Sequence, residues 1–498
     1  MTSGHAPRRS WLLLLPTLLL LLGACTRGAE GPVRTLALSP CKLEGLSTPA
    51  QCGTLEVWED REAKRGRKVP LRIAVVPALA ASPAPDPVFF LAGGPGQGAV
   101  ELAGQVMPAI ERLRRERDIV FVDQRGTGKS RPLECETDAP DAGLSARYAA
   151  AFDPEPLRRC LAGYDADPRL YTTPIAMDDL DEVREALGYA RINLYGISYG
   201  TRAALVYLRR HGAHARSAIL DGVAPLGLKL PLYLARDSQR ALDLLFAHCA
   251  ADAACSRAYP RLQPRFQALL AQLRQAPART RVAHPLTGVQ EDVEIPFEAF
   301  VGGLRGLLYM PEAAALAPLV IDRVEKGDWA PFVAMTASLQ DGFAQGMSVG
   351  MFLSVVCRED APFISEEDVA RETKGTWAGE VLARPLLRSC ALWPRGAVPE
   401  EYLAPVSSQV PVLLLSGELD PVTPPSWGDE AARHLPHSLH VTVPGVGHNT
   451  VGMGCVRSLM ADFLARGSVE GLTPGCGAGA DPALARPPFF TSFAGPHP

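Results

Sequence analysis

Two periods alternate along the chain. Short apolar runs bounded by glycine and proline occur at Pro87–Leu91 (PVFFL), Asp118–Val122 (DIVFV) and Ser217–Asp221 (SAILD). A further such run, Val410–Leu415 (VPVLLL), follows much later. Their continuous apolar character predicts strands buried on both faces, as in a parallel sheet. Ser438–Val443 (SLHVTV) alternates instead and predicts a strand with one wetter face. Helical periodicity marks Ala235–Cys249 and Pro264–Gln275, and further helices are predicted over Pro296–Tyr309 and Pro311–Lys326. These helices lie together between SAILD and VPVLLL, which predicts a mostly helical insertion from Gly227 to about Glu401.

Candidate chemistry collects at the carboxyl ends of the predicted strands. Arg191–Gly200 (RINLYGISYG) sets Ser198 between Gly196 and Gly200 immediately after an apolar, β-branched run. A sharp strand-to-helix turn that lifts a serine hydroxyl clear of the sheet brings its backbone together two positions before and after the serine, where only very small residues fit. Ser198 is therefore the predicted nucleophile. Asp420 follows VPVLLL in the loop Ser416–Pro421, and His448 follows SLHVTV in Pro444–His448, 28 residues after Asp420. The order Ser, Asp, His suits a catalytic triad with His448 as general base. Glu418 and Asp221 are the competing acids, and Asp221 reads as a structural loop carboxylate. His434, His437 and His440 precede or lie within the last strand, so position favours His448.

An oxyanion formed on Ser198 needs preorganised N–H donors. The backbone N–H of Tyr199 is one expectation, and Gly94, in the loop Gly93–Gly96 after PVFFL, is the other, with Gly93 as the alternative. Two nucleotide-like strings fail on inspection. Gly94–Ala99 loosely matches a dinucleotide fingerprint, but Pro95 disturbs the turn and no acidic residue closes a second strand at about the required 20 positions on. Gly126–Ser130 (GTGKS) ends like a phosphate-binding loop, yet Asp123 occupies the position of the first obligatory glycine. Asp123–Ser130 is instead a charged loop expected to brace the site.

AGGPG, DQRGTGKS, GISYGTR, GELDPVTPP and PGVGHN occur in that order over roughly residues 41–476. In this the chain resembles the tripeptidyl aminopeptidase and proline iminopeptidase branch of the α/β hydrolases. Tyr199 and Thr201 lean toward the tripeptidyl group, whereas Ala92 departs from the histidine common before the glycine pair of proline iminopeptidases. The resemblance implies an α/β-hydrolase fold: a mostly parallel, doubly wound, eight-stranded sheet with a helical cap. The expected division is core over 33–226, cap over 227–401, and core again over 402–476. It also implies a serine exopeptidase that releases short amino-terminal units, tripeptides or single residues, from peptides with a free amino terminus, without cofactor or metal. Glu359 and Asp360, which follow Cys357, are the candidate ligands of the substrate ammonium, since related enzymes carry acidic residues after a comparable cysteine. Trp393 reads as core packing before pocket lining. An esterase or lipase using the same triad is the principal alternative, and a catalytically silent surface-binding lipoprotein is the second.

Arg8 and Arg9 precede an apolar run, Trp11–Leu22, that is shorter than the about 20 residues a membrane-spanning helix needs. It reads as a signal peptide over 1–24. Leu22–Cys25 (LGAC) resembles a bacterial lipobox, implying acylation of Cys25 and a tether over 25–32; an ordinary cleavage site is the alternative. Thr26 is compatible with an outer-membrane destination, so the expected location is periplasmic or cell-surface, with membrane contact through lipid only. Setting Cys25 aside leaves ten of the 11 cysteines, an even number suited to an oxidising compartment. Their spacing suggests the pairs Cys41 with Cys52, Cys135 with Cys160, Cys249 with Cys255, Cys357 with Cys390, and Cys455 with Cys476. A net charge of -4 offers no basic footprint for nucleic acid. Residues 477–498 are proline-rich and expected to extend over the surface.

Overall fold

The computed structural model describes residues 1, 35–135, 143–148, 154–344, 346–396, 398–476 and 487–492. The expected signal peptide, the tether and Cys25 lie outside the described residues. Eleven strands are present among those described. In chain order they are β1 (Ser39–Cys41), β2 (Ala50–Trp58), β3 (Lys68–Val76), β4 (Val88–Leu91), β5 (Ile119–Val122) and β6 (Ile192–Ile197). They continue as β7 (Ala215–Asp221), β8 (Ala278–Ala283), β9 (Gln290–Ile295), β10 (Val412–Gly417) and β11 (Ser438–Val443).

Nine of these form one sheet in the order β1-β2-β3-β5-β4-β6-β7-β10-β11. The six strands from β5 to β11 pair in parallel, and β1, β2 and β3 add an antiparallel edge. This is the α/β-hydrolase fold, with one strand more than the eight expected. The addition is the three-residue β1, tied to β2 by the Cys41–Cys52 bridge and too short to leave an apolar run in the sequence.

Strand alternation sends successive apolar side chains to opposite faces. Phe89, Leu91, Val120 and Leu414 pack on one face against the helices Thr173–Ala186 and Tyr199–His211. Val88, Phe90, Phe121 and Leu413 pack on the other against Ala103–Ile110 and Gly454–Arg466. Each such buried side chain contributes about 1.5–3 kcal/mol, so both faces hold the strand ends in a fixed register.

Between β7 and β10 the chain is mostly helical, and the helices Leu234–Ala251, Leu262–Gln275, Phe297–Leu307 and Pro311–Glu325 fall where periodicity predicts them. The β8–β9 antiparallel hairpin within this region has no counterpart in the expectation. These helices enclose an apolar cluster of their own that includes Phe266, Phe300, Phe332 and Trp377. Phe489 joins it at 4% exposure, with Tyr259 Oη donating to the Phe490 carbonyl at 2.7 Å. The described part of the carboxyl-terminal tail is therefore anchored in the cap, which corrects the expectation that it only runs over the surface. All five expected disulfides are formed. No helix among the described residues is long and apolar enough to cross a membrane.

Candidate active site

Ser198 stands at the junction of β6 and the helix Tyr199–His211 with φ 53° and ψ -123°. A positive φ is strained for a residue with a side chain, and such strain is characteristic of a nucleophile held at a sharp turn. The flanking glycines are obligatory. A Cβ on Gly196 would stand 2.3 Å from the Gly200 carbonyl oxygen, and one on Gly200 would stand 2.1 Å from that of Leu91. The backbone of Ser198 is pinned on both sides: Ser198 N donates to Asp221 O on β7 at 2.9 Å, and Thr201 Oγ1 donates to Ser198 O at 2.6 Å.

Asp420 and His448 meet directly, with His448 Nδ1 2.8 Å from Asp420 Oδ2. Asp420 is fully buried and accepts from Val422 N and Thr423 N at 2.8 Å each, and from Thr423 Oγ1 at 2.7 Å. Burial pushes its carboxyl upward, but the neighbouring imidazole and these donors outweigh burial and hold it below the ordinary range. It is thus an ionised orienting group for the His448 ring.

The hydroxyl of Ser198 makes no hydrogen bond among the described residues, and its link to His448 runs through shared neighbours. Thr423 and Tyr309 line a cavity of about 170 Å³ together with Ser198. Thr423 Oγ1 lies 3.2 Å from His448 Nδ1, and the Tyr309 ring stands edge-on to the imidazole at 5.3 Å. The loop that carries the base is fastened to the cap, because His448 N donates to Tyr309 O at 2.8 Å.

Gly94 and Tyr199 line the same cavity as Ser198. Gly93 sits directly behind the nucleophile, where a Cβ would be 3.3 Å from that of Ser198. The glycine loop is braced from two sides. Ser348 N, from the cap, donates to Gly96 O at 2.9 Å, and the Asp123 carboxylate accepts from Val100 N at 2.8 Å and Lys129 N at 3.0 Å. Burial raises Asp123 to about 6. Arg125, also fully buried, grips Asp179 through two nitrogens at 2.6 and 2.9 Å and donates to the carbonyls of Trp58, Glu59 and Leu170. The DQRGTGKS loop therefore braces the site by carboxylate-to-backbone and guanidinium-to-backbone bonds.

The competing acids have other partners. Asp221 accepts from Thr450 N at 2.8 Å, Thr450 Oγ1 at 2.9 Å and Val451 N at 3.1 Å, so it anchors the chain just beyond His448. Burial raises it to about 6. Glu418 Oε2 accepts from Gly445 N at 2.7 Å and pins the turn before the histidine.

Glu359 and Asp360, the candidate ligands of a substrate ammonium, lie away from the nucleophile. Neither lines the cavity beside Ser198. Glu359 is buried, accepts from Thr173 N at 2.7 Å, from Thr173 Oγ1 at 2.8 Å and from Tyr402 Oη, and borders a separate cleft of about 580 Å³. Asp360 is spent on Arg202, whose Nη1 lies 2.9 and 3.0 Å from its two oxygens. Burial raises both carboxyls above their ordinary range. The sequence shows two acids but not the partners that claim them. Trp393 is 2% exposed, packs with the Cys357–Cys390 bridge and donates to Ser354 Oγ at 3.1 Å, a core role. Residues that sequence reasoning missed are Thr423, Arg202, Arg305 and Tyr309. Thr423 alone left a signal, lying three positions beyond the acid in a turn where its backbone and hydroxyl can both reach the carboxylate.

The chain is similar to several known proteins. Residues 376–476 match the family described as TAP-like protein. Serine protease Hip1 of Mycobacterium tuberculosis is 26% identical over 94% of this chain and 96% of its own length. Carboxylesterase B of the same species is 28% identical over 84% and 85%, respectively. Tripeptidyl aminopeptidase of Streptomyces lividans is 25% identical over 96% and 92%. The chain has the α/β-hydrolase fold, its residues 376–476 are similar to the TAP-like family, and it is similar along nearly its whole length to a serine protease and an aminopeptidase and over most of it to an esterase.

Proposed function

We propose that this hydrolase is a serine aminopeptidase that releases short amino-terminal units, tripeptides first among them, through an acyl-enzyme on Ser198. The observation that carries the reading is the 2.8 Å pairing of buried Asp420 with His448 beside the cavity that holds Ser198. In this reaction His448 takes the proton of Ser198 as Oγ attacks the scissile carbonyl, and Asp420 holds the imidazole in the tautomer that can accept it. The N–H groups of Tyr199 and Gly94 receive the oxyanion, the first reinforced by the amino-terminal end of its helix. The imidazolium returns the proton to the leaving amine, and water then hydrolyses the ester by the same route.

A cavity of about 170 Å³ roofed by the cap admits a chain end rather than the middle of a folded polypeptide. Three extended residues span about 10 Å, so a tripeptidyl group reaches past this cavity. Its ammonium then falls beyond the wall, which among the described residues carries no carboxylate. The similarity to carboxylesterase B supports a second reading, an esterase that needs no ammonium site. A fluorogenic tripeptide amide, its N-acetylated twin and a simple aryl ester separate the two. Aminopeptidase action predicts cleavage of the free peptide well above the blocked one; equal rates overturn it. Ser198→Ala should abolish turnover and fluorophosphonate labelling with either substrate class.

We also propose export and lipid anchoring through Cys25, with the outer membrane as destination. Five disulfides suit an oxidising compartment. Mass spectrometry of the mature amino-terminal peptide should find a diacylglyceryl thioether on Cys25, and an unmodified or absent Cys25 overturns the anchor.

A further inference from the structure

The cavity beside Ser198 has an unbalanced charge. Two guanidinium groups line it, those of Arg202 and Arg305, and no aspartate, glutamate or histidine does so among the described residues. Arg202 is neutralised by Asp360 behind the wall. Arg305, on the cap helix Phe297–Leu307, has no carboxylate partner among the described residues. Its Nη2 donates to Tyr309 Oη at 2.9 Å, and its Cζ lies 5.1 Å from the centroid of the Tyr309 ring. The Nε of each arginine is buried without a hydrogen-bond partner.

A buried donor left unsatisfied is costly, and a charged one more so. Native structures keep such groups where a ligand, ion or water completes them. Here the group sits in a small cavity with Leu228, Leu234 and Phe352 on its walls, where an added charge pair is screened less than at the surface. Tyr309 links Arg305 to the base, since the same ring that Arg305 covers stands against His448. An anion held by Arg305 therefore lies within reach of a substrate whose carbonyl is at Ser198.

We propose that Arg305 forms an anion subsite of the active-site cavity and selects substrates bearing a carboxylate next to the scissile bond. Two sources supply that chemistry: an acidic side chain on the residue that is acylated, or the terminal carboxylate of a short leaving peptide. Planar guanidinium geometry suits either. The inference rests on Ser198 being the nucleophile of this cavity.

Two isosteric substrate pairs test it on the full chain. The first pair is tripeptidyl fluorogenic amides ending in Glu or Gln; the second is tetrapeptides whose leaving residue ends in a free carboxylate or a carboxamide. The expected result is a kcat/KM preference for the carboxylate of about tenfold or more in one pair, which identifies the source. The preference should fall to near unity in Arg305→Gln and be partly kept in Arg305→Lys. The ratio reads the subsite whatever a variant does to the absolute rate. Ratios near unity in both pairs, or a ratio unchanged in Arg305→Gln, overturn the proposal. Calorimetric binding of the same tetrapeptide pair, and of the two amides, to Ser198→Ala reads the subsite without turnover. A failed hydrolase reading, marked by no turnover and no fluorophosphonate labelling of the native chain, is thereby distinguished from a failed subsite.

Discussion

Replacing Asp420 by Asn tests the orienting role of the buried carboxylate while disturbing little else. Asp420 Oδ1 accepts from the backbone of Val422 and Thr423, and the amide oxygen of Asn can keep both bonds. Oδ2 faces Thr423 Oγ1 at 2.7 Å and His448 Nδ1 at 2.8 Å, and there the amide NH2 must donate where the carboxylate accepted. His448 Nδ1 then becomes an acceptor, the ring proton moves to Nε2, and the imidazole is in the tautomer that cannot take a proton from Ser198. The charge is lost as well. With charge centres about 4 Å apart and an effective dielectric constant of about 20, the carboxylate stabilises the imidazolium by about 4 kcal/mol, or about three decades in rate at 1.36 kcal/mol per decade. The expected outcome is a fall in kcat of at least about 10³-fold, with KM little changed and the thermal midpoint near that of the native chain. Turnover of a fluorogenic peptide amide, followed alongside calorimetric melting, measures both. A loss below about tenfold in a folded variant would refute the pairing as the source of the imidazole's basicity.

Other expectations follow from single contacts. Gly200→Ala drives a methyl group into the Leu91 carbonyl 2.1 Å away; it should destabilise the fold by about 3 kcal/mol or more, read from urea denaturation midpoints, and a stability within error of native would contradict the close approach. Removing the Cys357–Cys390 bridge by alanine at both positions frees a loop of 33 residues and should cost about 3–4 kcal/mol on the loop-entropy relation, again by urea denaturation. Asp221 titrates at about 6 in the fold against an unfolded value of 3.8. Its contribution to stability is therefore complete below about pH 4 and is lost as pH rises to 6, a change of about 3 kcal/mol. Asp221→Asn should lack this component, so urea midpoints of native and variant measured at pH 4, 5 and 6 should show a shallower decline in the variant; parallel declines would count against the raised value.

Much of this architecture was legible because its signals are local. The central strands are apolar on both faces, so β4, β5, β7 and β10 stand out as uninterrupted runs, and Ser198, Asp420 and His448 each follow a strand-like segment within a short, glycine-marked loop. The edge and the cap are less visible. β8 and β9 alternate charged and apolar residues on a largely exposed hairpin, a pattern shared with ordinary surface chain. Glu359 is occupied by Thr173, 186 positions away, and Asp360 by Arg202, 158 positions away. Such pairings depend on how the cap seats on the core, which no local spacing encodes. Arg305 and Tyr309 were hidden for the same reason, since one turn of an amphipathic helix does not disclose what its polar side meets. Phe489 sits in a proline-rich tail whose composition points outward, yet its ring completes an apolar cluster built hundreds of residues earlier.

The backbone bond from His448 N to Tyr309 O makes the proton acceptor a passenger of the roof above it. Any breathing of the cap wide enough to exchange a bulky product must either break that bond or drag the imidazole with it. Admission and the placing of the base are thus mechanically geared through one hydrogen bond.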